Sequence, residues 1–262
     1  MTSLSELIAF SETRWPLEAA ADWDNPGLAL GSRSNLVTKV LLAVDVTEEI
    51  VAEAEQGGFD LVFSHHPFIF KGITSLDEEK VKGRLVARCI KAGISVYSAH
   101  TNADFADGGV SQSLARLLGL TALRGLTESG EGVVGDVGET TLIEFARHAG
   151  RVLPSCAQGL LVQGDPNKTI KTVGLVAGSG DSYLPYVANL DLFITSDLRH
   201  HPASDHRDKA GLAGTALMQV PHFAAEWPWL TQAQAELQHA FPSVEFAVSE
   251  INTDPWDFAV MQ

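Results

Sequence analysis

Short continuous apolar runs alternate with amphipathic stretches along the chain, the pattern of buried strands joined by helices. Ser3-Leu4-Ser5-Glu6 has capping-box spacing and opens an amphipathic segment to about Thr13, which Trp15-Pro16 ends. Asp22-Trp23-Asp24-Asn25-Pro26-Gly27 reads as a turn with an aromatic anchor. Lys39 to Val44 is an apolar run of strand length, and Thr47 is placed to cap a helix through about Gln56 that Gly57-Gly58 terminates. Leu61-Val62-Phe63 is the next buried strand, completing a βαβ unit that favours a parallel sheet covered on both faces. Glu79 to Ala92 reads as a helix closed by Gly93, Ile94 to Ser98 as a strand, and Val110 to Leu118 as a helix after Gly108-Gly109.

From about Thr121 to Glu139 the pattern dissolves into Gly, Glu and Thr, which suits irregular strands or a lobe boundary. Beyond it the first half is echoed. Thr172 to Ala177 stands where Val40 to Val44 stood, and Asp191 to Ser196 resembles Asp60 to Ser64. Each of the latter pair is followed by His-His-Pro, at His65-His66-Pro67 and at His200-His201-Pro202. The match is short and leaves an internal α/β duplication open. Ala216 to Val220 is a further strand, Phe223 to Ala240 a helix with Trp227-Pro228 early in it, and Val244 to Val248 closes a sheet. The expected fold is α/β and two-lobed, with mostly parallel sheets covered by helices. Residues 1–125 form the first lobe, 215–262 return to it, and 126–214 form the second.

Composition narrows the function classes. A net charge of −15 argues against a general nucleic-acid surface, because neutralising phosphates needs clustered Lys and Arg. A small anionic substrate remains compatible, since bound divalent cations reverse a local field. No apolar run reaches the roughly 20 residues a spanning helix needs. The N-terminus shows no basic region followed by an apolar core, so cytoplasmic residence is expected. Two cysteines, Cys89 and Cys156, are too few for a disulfide framework or a thiolate zinc site.

The chemistry lies in three segments that end strand-like runs: Ser64-His65-His66-Pro67, His100-Thr101-Asn102-Ala103-Asp104, and His222-Phe223-Ala224-Ala225-Glu226. Ligands of open α/β sheets gather beyond the carboxyl ends of strands, where these side chains project. Adjacent histidines on extended backbone diverge, and Pro67 keeps His66 extended, so the pair suits two ions better than one. His222 and Glu226 are four apart at a helix start and share a face. Five or six such donors are too many for one tetrahedral ion and about right for two. Each segment also has a plain structural reading: capping histidines, a turn-forming Asp104, or a surface hydrogen-bonded pair at His222 and Glu226. Asp197, His200, His201, Asp205, His206 and Asp208 form a rival cluster, better suited to lining a pocket or a contact between lobes.

On Asp22 to Leu28, Ala43 to Thr47, Ser64 to Phe70, Ala99 to Asp104 with Gly108-Gly109, Ile194 to Asp197 with His200-His201, and His222 with Glu226, the chain resembles the GTP cyclohydrolase I type 2 homologue family, also called Nif-three-like. The resemblance implies a toroidal homohexamer of two-lobed subunits, each with a dinuclear metal site facing an internal cavity. By position it implies metal ligation by His65, His66, Asp104, His222 and Glu226, with His100 as a nearby supporting or catalytic group. Pro221 and Ala225 stand where the family often has Gly and Thr.

Two functions follow as expectations. One is a metal-dependent hydrolase for a nucleotide or phosphorylated metabolite, with two divalent ions (Zn, Mn, Fe, Co or Ni) and His100 as general acid/base. The other is a non-catalytic metal-binding ring, for assembly or metal delivery, which would tolerate loss of a proton shuttle.

Overall fold

A computed structural model describes residues 1–128 and 130–260. The chain divides into two units, Met1–Ala106 with Leu230–Thr253, and Asp107–Trp229 with the segment from Asp254. The second division falls inside the helix His222–Ala240.

The first unit is built on a five-stranded sheet in the order Glu245–Val248, Lys39–Ala43, Leu61–Ser64, Ser95–Ser98, Gly27–Leu30. The first four strands are parallel, and Gly27–Leu30 pairs antiparallel at the edge. Every residue of Leu61–Ser64 and Ser95–Ser98 is buried, as strands covered on both faces require. Thr47 caps the helix Glu48–Gly57 by accepting from the Ile50 N–H, and Gly58 ends it in the left-handed region at φ 65°. That helix and Val81–Ala92 bury Ile50, Val51, Ala54, Leu85, Val86 and Cys89 against Leu41, Val62 and Val96. Burial pushes the Cys89 thiol up to about 11, so it packs as a small apolar side chain. The helix Leu4–Arg14 opens on the expected capping box of Ser3 and Glu6. Its Phe10 meets Phe241 edge to face, and Arg14 pairs with Glu236.

The second unit has a six-stranded sheet in the order Thr121–Gly125, Val133–Thr141, Thr169–Ser179, Leu192–Ser196, Ala216–Gln219, Leu161–Gln163. Thr169–Ser179, Leu192–Ser196 and Ala216–Gln219 are parallel, and antiparallel strands flank them on both sides. The Gly-, Glu- and Thr-rich stretch thus forms a paired outer ribbon, Thr121–Gly125 on Val133–Thr141. Thr141 and Glu144 form a second capping box and open the helix Leu142–Val152. Val176, Phe193, Leu217 and Val187 make a core cluster beneath Tyr183 and Leu184 of the short turn Asp181–Tyr186. Among the described residues no helix is long and apolar enough to cross a membrane.

The same device starts the parallel strands in both units. The Asp60 carboxylate accepts from the N–H groups of Thr38 and Lys39 at 2.7 and 3.0 Å, and from the Thr38 hydroxyl at 2.7 Å. The Asp191 carboxylate accepts from the N–H groups of Lys171 and Thr172 at 2.9 and 3.0 Å. Each aspartate satisfies donors at the entry to the neighbouring strand, and its own backbone continues the pairing. Asp60→Ala and Asp191→Ala are each expected to cost about 1–3 kcal/mol, because the backbone donors lose their charged acceptor. Urea unfolding followed by circular dichroism checks this, and an unchanged midpoint in both variants would show that water replaces the carboxylate without penalty.

Candidate metal centre

His65 and His66 leave the end of Leu61–Ser64 while the backbone pairing runs on. The His65 N–H donates to Ala43 O at 3.0 Å and the His66 N–H to Val44 O at 2.8 Å. The Ser64 hydroxyl donates to His66 O at 2.8 Å, tying down the turn. Both imidazoles therefore sit at the carboxyl edge of the parallel sheet, beside His100, which follows Ser95–Ser98. The ring nitrogens of His65, His66 and His100 come within 4.8 Å of one another.

Their hydrogen bonds decide which nitrogen faces outward. His65 Nδ1 lies 2.9 Å from Ala99 O, and a carbonyl can only accept, so Nδ1 carries the proton of the neutral ring. His66 Nδ1 lies 2.7 Å from Asp45 Oδ1, and the other oxygen of Asp45 accepts from the Thr253 hydroxyl at 2.5 Å. His100 Nδ1 lies 2.9 Å from Asp24 Oδ1, whose partner oxygen accepts from the Thr101 hydroxyl and N–H at 2.6 and 3.1 Å. Burial alone would raise the Asp24 carboxyl. Hydrogen bonds from His100 and Thr101 outweigh it and hold the group well below the usual carboxylate range. In each ring an outer oxygen engages Nδ1, the arrangement that orients a histidine to ligate a metal through Nε2. Asp104, on the short helix Thr101–Asp104, places Oδ1 3.8 Å from His65 Nε2. That is too long for a hydrogen bond, and short enough for both atoms to reach one ion at the usual ~2.0–2.2 Å.

In the second unit, His222 opens the helix His222–Ala240 directly after Pro221. Pro221 acts as the cap, its carbonyl accepting from the Ala225 N–H at 3.0 Å, and Ala225 is fully buried. The two departures from the family pattern thus leave the helix start intact. His222 Nδ1 lies 2.5 Å from Asp197 Oδ2, and Nε2 lies 2.9 Å from Glu226 Oε1. Burial lowers the His222 imidazolium, but Glu226 and Asp197 on either side prevail and push it up to about 11. A proton thus occupies a position where two carboxylates and an imidazole favour a cation. Gly178, at φ 77°, leaves the room for this: a Cβ there would lie 2.7 Å from Glu226 Oε1 and 3.4 Å from His222 Nε2.

The structure thus gathers His65, His66, His100 and Asp104 at one sheet edge, and His222 with Glu226 at the other. The rival pair stands apart. His200 and His201 are exposed on the helix His200–Ala210, and among the described residues they join no group of three donors. Asp24, read from the sequence as part of a turn, and Asp45, given no role of its own there, each orient an imidazole. Asp197, placed in the rival cluster, serves His222 instead. Asp45 and Asp197 did carry a signal, since each follows a strand adjacent to one that is followed within three residues by a histidine.

The model of Duf34/NIF3 (NGG1p interacting factor 3) matches residues 2–255. The chain belongs to the Duf34/NIF3 family. A Streptomyces coelicolor relative named GTP cyclohydrolase 1 type 2 homolog is 41% identical over 98% of this chain and 94% of its own length. A Clostridium perfringens protein of the same name is 33% identical over 97% of this chain and 99% of its own. The crystal structure of a Staphylococcus aureus hypothetical protein superposes with a TM-score of 0.90 at 27% identity, covering 98% of this chain and 99% of that one.

If the outer carboxylates set the imidazoles for metal, Asp45→Asn and Asp197→Asn should each weaken Zn²⁺ or Mn²⁺ binding by about 10- to 100-fold while leaving the fold intact. Isothermal titration calorimetry reads the affinity and circular dichroism the fold; wild-type affinity in both variants would remove these aspartates from the site.

Proposed function

We propose that this Duf34/NIF3 member is a metal-dependent hydrolase holding two divalent ions through His65, His66, Asp104, His222 and Glu226. The observation that carries the reading is the contact of Nδ1 with an oxygen in His65, His66 and His222, which fixes each ring so that a bound ion would be held through Nε2, at His222 in place of the proton that faces Glu226. Neutral imidazoles and carboxylates without thiolates suit Zn, Mn, Fe, Co or Ni. Bound divalent ions supply a water of near-neutral pKa and polarise a substrate oxygen.

The chain's own groups do the rest. Asp45 and Asp197 hold His66 and His222 in one tautomer and one orientation. His100 is fixed through Nδ1 by Asp24, so its Nε2 is the atom that takes and returns a proton at the reacting centre. Ala99, Ala103 and Phe68 on the surrounding loops are buried and pack behind these groups. The name shared by the Streptomyces and Clostridium relatives points to a nucleotide, and a phosphorylated metabolite is the wider class. Assembly into a homohexamer belongs to the same proposal.

Elemental analysis after aerobic and anaerobic purification, followed by turnover on a broad nucleotide and phosphoester panel, tests it. His65→Ala is expected to lose both metal and turnover. His100→Ala should keep its metal and lose turnover by about 10²- to 10⁴-fold. Metal-loaded wild type that turns over nothing on the panel, together with a cellular phenotype retained in His100→Ala, would instead support the non-catalytic metal-binding ring.

A further inference from the structure

Trp23, expected as an anchor, is 64% exposed, and Phe70 is 47% exposed. The backbone that presents Trp23 is nevertheless held firmly. The next residue is Asp24, whose N–H donates to Ala21 O at 2.9 Å and whose carboxylate grips His100 and Thr101. Phe70 lies four residues beyond His66 on the same loop. Two large aromatic rings left open side by side are unusual on a protein surface and mark a contact site.

Their geometry says what would fit. Trp23 and Phe70 stand 5.9 Å apart at 68°, Trp23 and His100 6.0 Å apart at 76°, and Phe70 and His100 6.2 Å apart at 83°. Three rings, each nearly perpendicular to the others, make a corner with His100 as its inner wall. His100 in turn lies 5.2 Å from His65 and 5.3 Å from His66, centroid to centroid. The Trp23 and Phe70 side chains carry no charge, so beyond the Trp23 indole N–H they present apolar ring surface rather than an anion site. They reward a flat ring, since any planar heterocycle presents a π-face that can stack on an aromatic side chain.

We propose that Trp23 and Phe70 form a stacking subsite for a planar heteroaromatic ring of the purine or pyrimidine class, with its edge turned toward His100, His65 and His66. This rests on the reading above that the imidazoles mark the reacting centre. It adds that the chain selects its substrate by the ring rather than by the phosphate.

The test compares GMP with ribose 5-phosphate as probes, using isothermal titration calorimetry on the metal-loaded full chain. Trp23→Ala should weaken GMP binding by about 5- to 100-fold, the range a lost base–aromatic stack spans, and leave ribose 5-phosphate unchanged. Trp23→Phe should restore most of the loss, and metal content should match wild type in both variants. Equal losses for the two probes, no loss for GMP, or no GMP binding to wild type would overturn the subsite. So would a change in particle size for Trp23→Ala in light scattering, which would make these rings a contact between copies of the chain. Wild type that binds GMP through Trp23 yet turns over no nucleotide would sink the hydrolase reading and leave the subsite standing.

Discussion

A neutral imidazole offers a lone pair from one nitrogen only, and the oxygen that accepts from the other nitrogen determines which. In this protein that oxygen comes from Ala99 for His65, Asp45 for His66 and Asp24 for His100, while Asp197 holds the same nitrogen of His222, whose other nitrogen faces Glu226. All but Asp24 lie just beyond the ends of strands. The acceptors are in reach because the strands run parallel and deliver their ends to one edge, where open α/β sheets place their chemistry. Turning one strand around would move His65 or Asp45 to the opposite edge. The metal-binding character proposed for the histidines therefore depends on sheet direction before it depends on any histidine.

The two units solve this problem twice in the same way. In each, three consecutive parallel strands lie side by side in chain order: Lys39–Ala43, Leu61–Ser64 and Ser95–Ser98 in one, Thr169–Ser179, Leu192–Ser196 and Ala216–Gln219 in the other. In each, the second strand is preceded by an aspartate, Asp60 or Asp191, that clamps the start of the first. In each, the third strand is followed by a histidine and, four residues on, a carboxylate: His100 and Asp104, or His222 and Glu226. This correspondence runs deeper than the repeated His-His-Pro. The second copy of that tripeptide, His200-His201-Pro202, starts an exposed helix instead of extending a strand edge. An internal duplication is thus better supported by the aspartate clamp and the spaced His/carboxylate pair than by the motif that first suggested it.

Much of the scaffold was legible because it is written in local chemistry. Ser3 with Glu6, Thr47 with Gly58, and the continuous apolar runs each specify an element without help from distant residues. The histidine-bearing segments stood out for the same reason, since His65, His66, His100 and His222 follow such runs closely. What was not legible depends on side chains distant in sequence. Asp24 and His100 are 76 residues apart, and Asp197 and His222 are 25 apart. The Gly- and Glu-rich ribbon was obscure because its outer strand is largely exposed and shows neither periodicity. The second unit division was obscure because it falls inside one helix, where no change of composition marks it. Trp23 misled because aromatic residues in turns usually pack inward, whereas here the neighbouring Asp24 takes the buried position.

The electrostatics of the second pair show why such a site belongs to folding as well as to chemistry. Glu226 is 3% exposed, and a buried carboxylate is costly unless positive charge compensates it. Without an ion that compensation is the His222 proton, retained far above the ordinary imidazole range by Glu226 and Asp197. Helix geometry places His222 and Glu226 on one face, and Gly178 is the residue that lets the carboxylate approach. A cation that takes the place of that proton satisfies the same charges with shorter and more directional bonds. Because the unfolded chain does not preassemble these donors, affinity for the cation stabilises the folded unit by mass action. On the proposed reading, the carboxylates that orient these imidazoles would therefore also tie metal occupancy to the persistence of the strand ends that present them.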